Sequence, residues 1–282
     1  MYRIGLSTTE KEINEELFRA YASGGIGQME LAMDAPRWYE IDFRKIGKWA
    51  GEYGVNLWSM HLPFGYGAGT PFDPSEPDFC NETVQRHGEF MKKGADIGID
   101  KFVIHASLEN IDDDHRRMRM DCAKESLARL AQTARECGVT VAVEALPRTC
   151  LGRISEEMAE LTGVDDSLRV CFDTNHIMLE DNADYIRKVG DKIITLHVSD
   201  FDYIRERHWL PGEGKVDWRG VLDALSDVGY GGVWMYEVAF KAPWTIIRER
   251  DLMPEDFVRN AREIFAGASP TLISRVNPEL YK

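Results

Sequence analysis

The sequence predicts an α/β chain closed into a (β/α)8 TIM barrel, and three observations carry the prediction. Apolar, β-branched runs alternate with amphipathic helical stretches eight times before residue 240, the pattern of parallel strands covered on both faces. The third to the eighth runs each stop on a side chain that can bind a metal: His61, His105, Glu144, Asp173, His197 and Glu237. A closed barrel gathers its strand exits at one mouth, which a doubly wound open sheet, the runner-up, does poorly. Finally, 282 residues suit a single domain spanning 1–282, since such barrels commonly take about 250 residues.

Taken in order, Arg3 to Ser7 is the first strand, and a helix from Glu10 to Ala22 stops at Gly24 and Gly25. Ile26 to Met33 is the second strand, with Glu30 inside the barrel mouth, and Asp42 to Tyr53 is an amphipathic helix ended by Gly54. Val55 to His61 is the third. The long Gly- and Pro-rich loop from Leu62 to Pro77 has the length of a lid. A helix from Phe79 to Ile97 leads to the strand Lys101 to His105. Asp112 to Cys137 is a long helix closed by Gly138, and Val139 to Glu144 is the fifth strand, whose apolar run ends in a carboxylate and then Pro147. Ser155 is the expected cap of a short helix before the Asp173 strand. Asn182 to Val189 bridges to the His197 strand, Asp217 caps a helix to Val228, and Gly232 to Glu237 is the eighth strand. The tail beyond Ala266 carries no ligand-type constellation and is expected either to pack across the barrel or to mediate homo-oligomer formation.

A net charge of -14 disfavours a nucleic-acid partner. The five cysteines form no Cys-x-x-Cys pair and read as reduced thiols. No apolar stretch approaches the roughly 20 residues of a membrane span, and the N-terminus runs straight into a strand, so a soluble cytoplasmic protein without membrane partners is expected.

Glu144, Asp173, His197 and Glu237 supply three carboxylates and one imidazole, a hard and borderline donor set that suits one divalent ion: Mn, Zn, Co or Mg. Arg148, Arg205, Arg207 and Lys241 follow strand ends and are candidates to grip a phosphate or a sugar hydroxyl, and Trp58, Phe64, Phe240 and Trp244 are candidates to close over a sugar.

The phrases His61-Leu62-Pro63, Val143 to Pro147, Phe172 to His176, Leu196 to Asp200 and Leu210 to Trp218 resemble the xylose isomerase-like barrel superfamily, in its sugar phosphate isomerase/epimerase branch. That resemblance implies an isomerase that acts on a small sugar or polyol ketone. It implies that Glu144, Asp173, His197 and Glu237 bind the ion and that Glu144 and Glu237 are catalytic, moving the proton next to the carbonyl. It places His61, His105 and His176 among the substrate contacts, and His208 and Arg207, in the loop after the seventh strand, are candidates for the same role. A cyclitol dehydratase shares this logic, and a barrel that binds metal without catalysis is a further class. The chain also resembles endonuclease IV, a three-zinc nuclease of abasic DNA. There His61, His105 and Glu144 match one site, and His176 and His208 belong to the third. That family has Asp-Arg-His where this chain reads Glu206-Arg207-His208.

Overall fold

The computed structural model describes residues 1–33, 37–65 and 71–281. Eight parallel strands form one sheet: β1 (Arg3–Ser7), β2 (Gln28–Leu31), β3 (Asn56–His61), β4 (Lys101–Ile104), β5 (Thr140–Glu144), β6 (Arg169–Asp173), β7 (Ile193–His197) and β8 (Val233–Tyr236). β1 pairs with both β2 and β8. The ring closes between β7 and β8 through Val198, whose N–H donates to Met235 O at 2.8 Å while its carbonyl accepts from Glu237 N at 3.1 Å. The barrel is therefore observed as expected.

Helices α1 (Glu15–Ser23), α2 (Phe43–Tyr53), α3 (Cys80–Ala95), α4 (Asp113–Cys137), α5 (Ser155–Thr162), α6 (Asn182–Val189), α7 (Trp218–Asp227) and α8 (Pro254–Phe265) follow the strands in turn. Their apolar stripes cover the outside of the barrel, where Phe18, Met91, Leu127, Leu161, Ile186 and Phe257 are buried. Two glycines are required by their geometry. Gly138 ends α4 at φ 69°, a left-handed cap that L side chains rarely adopt, and a Cβ on Gly5 would sit 2.7 Å from the Met235 methyl in the barrel wall.

Two boundaries differ from the sequence expectation, each for a physical reason. α1 begins at Glu15, not Glu10, because Asn14 caps it by accepting from Leu17 N at 3.0 Å. The residues ahead of it are held at the barrel mouth, where Lys11 Nζ donates to the carbonyls of Ser7, Thr9 and Val238. Ser155 is the first residue of α5 and not its cap: the carboxylate of Glu180 accepts from Ser155 N at 2.8 Å and supplies that function from a distant loop. Asp217 and Asp42 do cap their helices, accepting from Gly220 N and Lys45 N.

The expected lid falls partly outside the described residues, at 66–70. Its second half is anchored. Asp73, fully buried, accepts from Arg119 of α4 and from Ser75, and Ser126 Oγ donates to Pro74 O at 2.7 Å. The chain after β8 forms β9 (Ile246–Arg248), paired antiparallel with β10 (Ser274–Val276) of the tail. A buried ion pair of Arg248 with Glu213 at 3.0 Å fastens this two-stranded ribbon to the β7 loop, and Tyr281 Oη donates to Asp202 at 3.1 Å. The tail thus packs across the mouth side of the barrel.

His87 of α3 pins the start of the β3 loop. It is fully buried, its Nε2–H donates to Pro63 O at 2.8 Å, and its Nδ1 has no partner. Burial is the largest influence and pushes its pKa down to about 4. The folded state therefore holds His87 neutral while the unfolded chain takes up a proton below about 6.5. Its contribution is complete above that value and is lost as the pH falls toward 4, a difference of roughly 3 kcal/mol. His87→Gln keeps a donor but does not titrate, so denaturant midpoints of the variant should fall less than those of the native protein between pH 6.5 and 4. Parallel pH profiles would contradict the assignment.

Candidate active site

The strand exits converge as the alternation requires. Glu144, Asp173 and His197 are the last residues of β5, β6 and β7, Glu237 follows β8, and all four are buried, with their ligand atoms within 4.8 Å of one another. His197 Nδ1 lies 3.0 Å from Glu144 Oε1 and 3.4 Å from Glu237 Oε2, so the two glutamates meet at one nitrogen of the imidazole. Its other nitrogen, Nε2, faces Glu30 Oε1 at 2.8 Å, and Ser59 Oγ donates to Glu30 Oε2 at 2.7 Å. A carboxylate behind an imidazole fixes the ring's tautomer and raises its basicity as a ligand. Glu30, expected only to lie in the mouth, acquires that role by its position.

The residues fit a cation. Asp173 Oδ2 is buried without a hydrogen-bond donor. His176 Nδ1 stands 3.3 Å away, but it pairs with the Ala145 carbonyl at 2.9 Å, so the short distance is not a hydrogen bond. Buried carboxylates that are not hydrogen-bonded are costly unless a cation compensates them. Burial pushes Asp173 up to about 7, with the charges of Glu237 and Glu144 adding to it and His176 opposing. Burial opposes the ionisation of Glu144, but the imidazoles of His197, His105 and His176 outweigh it and hold this carboxyl well below its usual range. Glu237 is also lowered, burial being outweighed by His197 and His208. Protonated imidazoles thus balance the carboxylates in this state.

The other expected histidines surround the cluster. His61 and His105 bring their Nε2 atoms to 2.9 and 3.0 Å from Glu144 Oε2. His176 and His208 form a third group with Glu206, whose Oε1 lies 2.8 Å from His208 Nε2 and 3.5 Å from His176 Nε2. The extra methylene of Glu206 therefore still lets its carboxylate reach both rings. In His61, His176 and His208 the Nδ1 atom faces a backbone carbonyl, of Leu62, Ala145 and Glu237 respectively. That pairing uses the Nδ1–H, so Nε2 is the nitrogen turned to the cleft, and it becomes an acceptor when the ring gives up its second proton.

Arg207 is placed elsewhere than expected. Its guanidinium is bound by Asp202 at 2.8 and 3.0 Å and lies over the Trp209 ring, and it does not line the cleft. Of the four aromatics singled out, Phe64 lines the cleft, whereas Trp58 sits at the opposite end of the barrel against Arg3 and Lys101. Trp244 is exposed, and Phe240 packs on Lys11. Sequence reasoning missed Thr9, whose Oγ1 donates to Glu237 Oε1 at 3.1 Å. It also missed Lys11, which burial pushes down to about 8 against the pull of Glu237. Both sit in the β1 loop, where no apolar run ends on them. The cavity above the cluster measures about 270 Å³ and is lined by Thr9, His61, Glu144, His176, His208 and Glu237 among others.

Three likenesses to known proteins bear on this arrangement. The chain is 30% identical over 143 residues to a D-psicose 3-epimerase of Enterocloster bolteae, covering 47% of this chain and 46% of that one. It is 34% identical over 89 residues to a fructoselysine 3-epimerase of Escherichia coli O157:H7, covering 29% and 32%. The chain thus spans less than half the length of either relative in these matches. A solved D-tagatose 3-epimerase-like protein superposes with a TM-score of 0.76 at 19% identity, over 94% of this chain and 96% of that one, a likeness of fold. The model of one family, described as xylose isomerase-like TIM barrel, matches residues 18–255. With the exits of β2 to β8 and the ligand cluster lying inside that span, this chain belongs to the xylose isomerase-like TIM barrel family.

Proposed function

We propose that the protein is a divalent-metal-dependent sugar isomerase/epimerase that works through an enediolate. The observation that carries this reading is the four-residue cluster, with Asp173 Oδ2 left without a donor and two glutamates converging on His197 Nδ1. Glu144, Asp173, His197 and Glu237 would hold the ion, with Mn, Zn, Co and Mg all compatible with the donor set. When bound, the ion supplies positive charge that polarises a ketose carbonyl and its neighbouring hydroxyl and stabilises the enediolate. One of Glu144 and Glu237 removes the proton from the carbon beside the carbonyl. The other delivers a proton to the opposite face, which inverts that carbon and leaves the two carboxyls exchanged in protonation. Return of the proton at the neighbouring carbon would instead interconvert aldose and ketose. His61, His105, His176 and His208 line the same space and are proposed to hold the sugar oxygens.

A second reading, an endonuclease IV-like zinc phosphodiesterase, is favoured by the preset Nε2 atoms of His61, His176 and His208 and by the reach of Glu206. The net charge of -14 weighs against it. Elemental analysis of protein purified without added metal or chelator separates the two. About one divalent ion per chain supports the epimerase, and His208→Ala should then keep that ion. Two to three zinc ions, lost together with abasic-site cleavage in His208→Ala, would support the nuclease and overturn the proposal.

Glu30→Gln tests the support behind the cluster. It keeps the shape but loses the charge that faces His197 Nε2. Metal affinity should fall by about 10- to 100-fold while the fold is retained. Unchanged affinity in a titration would remove Glu30 from this role.

A further inference from the structure

Beside the reaction cavity lies a second lobe of about 440 Å³. The two share Phe64, His105, His176 and Glu206 as lining residues, so they form one continuous cleft. Phe64 packs on His105 and His61 with ring centroids 4.6 and 4.8 Å apart, which makes an aromatic collar between the lobes. Beyond the collar Leu108, Leu146 and Pro147 form an apolar wall with Cys150 beside them, and Ser107 and Asn110 add neutral polar groups. Burial pushes that thiol up to about 12, which keeps it neutral.

The charge of the lobe is as informative as its volume. Arg148 is the guanidinium that lines it, and that group is already held by two carboxylates that also line it: Nε pairs with Glu109, and Nη1 with Glu206 at 2.7 Å. Phosphate or carboxylate recognition needs unspent cations or a helix N-terminus pointing at the ligand. Among the described lining residues Arg148 carries the only fixed positive charge, two carboxylates hold it, and the residues that open α4 and α5 are absent from the wall. A partly apolar chamber whose one guanidinium is already held by carboxylates suits a group that carries no negative charge.

We propose that this lobe receives a non-anionic substituent on the sugar, so that the preferred substrate is a ketose bearing an alkyl, glycosyl or amino-linked group, not a free ketose or a ketose phosphate. The inference rests on the epimerase reading. While the carbonyl end occupies the reaction cavity, the substituent passes the Phe64 collar and lies on Leu108, Leu146 and Pro147.

The test uses the metal-loaded native protein and follows solvent deuterium uptake beside the carbonyl. The probes are D-fructose, D-tagatose and D-psicose, the 1-O- and 6-O-benzyl ethers of each, and the 1- and 6-phosphates of each. At least one ether should exceed its free parent in kcat/KM by about tenfold or more, since apolar burial discriminates on that scale, and the phosphates should fall below the parent. Leu108→Trp, which fills the lobe, should bring the ratio of ether to parent down to about one. If free ketoses exchange but no ether exceeds its parent, or if a phosphate is the best substrate, this inference falls and the epimerase reading stands. If no sugar exchanges, free or substituted, both fall.

Discussion

Glu144→Gln and Glu237→Gln should each lower the rate of ketose epimerisation by about 10³-fold or more, the scale on which a positioned acid/base group contributes. Glutamine keeps the volume and one oxygen ligand but cannot accept and return a proton. Both carboxylates are buried against neighbouring imidazoles, so neither variant disturbs an exposed surface. The two losses should also differ in kind. If the glutamates serve opposite faces of the substrate, each variant still exchanges solvent deuterium into one epimer without converting it, and the two variants do so with opposite epimers. Epimerisation that survives in either variant, or exchange confined to the same epimer in both, would remove the pair from this role.

Stripping divalent ions should abolish turnover, and adding back Mn, Co, Mg or Zn should restore it. In the stripped protein imidazoles carry the protons that balance the carboxylates: Glu206 and Glu237 overcome burial and push His208 up to about 9, and His176 is raised well above its usual value by Asp173 and Glu206 against burial. An ion must displace protons from such a set, so affinity should rise with pH, by about tenfold per pH unit for each proton released. At an ion concentration 100 times Kd the fold should gain about 2.7 kcal/mol. Isothermal titration at two pH values in buffers of different ionisation enthalpy measures the proton count. Binding that does not depend on pH would contradict this electrostatic account.

Much of the architecture was legible because barrel strands announce themselves. A run such as Val139 to Val143 tolerates no solvated face, and the ligand-type residue that ends each run is placed by the barrel's geometry, as with Glu144, Asp173 and His197. What was not legible depends on which side chains pair once the chain is folded. Arg207 follows the strand exits as a substrate-binding arginine would, yet Asp202 five residues earlier captures it. Glu180 replaces Ser155 as the cap of α5 from 25 residues away, and Thr9 meets Glu237 across 228 positions. Trp58 looked available to a sugar because it lies near His61, but successive strand residues alternate between faces and a strand has two ends. Glu206 shows the reverse: one methylene beyond the aspartate of the resembling motif, it still reaches both histidines.

In the proposed mechanism two glutamates exchange the proton beside a ketose carbonyl. Proton NMR of the ketose panel in deuterated water, with metal-loaded protein, tests it most directly. The account predicts that the signal of the proton on that carbon disappears for at least one ketose while its epimer or its aldose partner appears, and that Glu237→Gln stops the interconversion. Retention of that proton in every free and substituted ketose, with abasic DNA nicked by the same preparation, would contradict it.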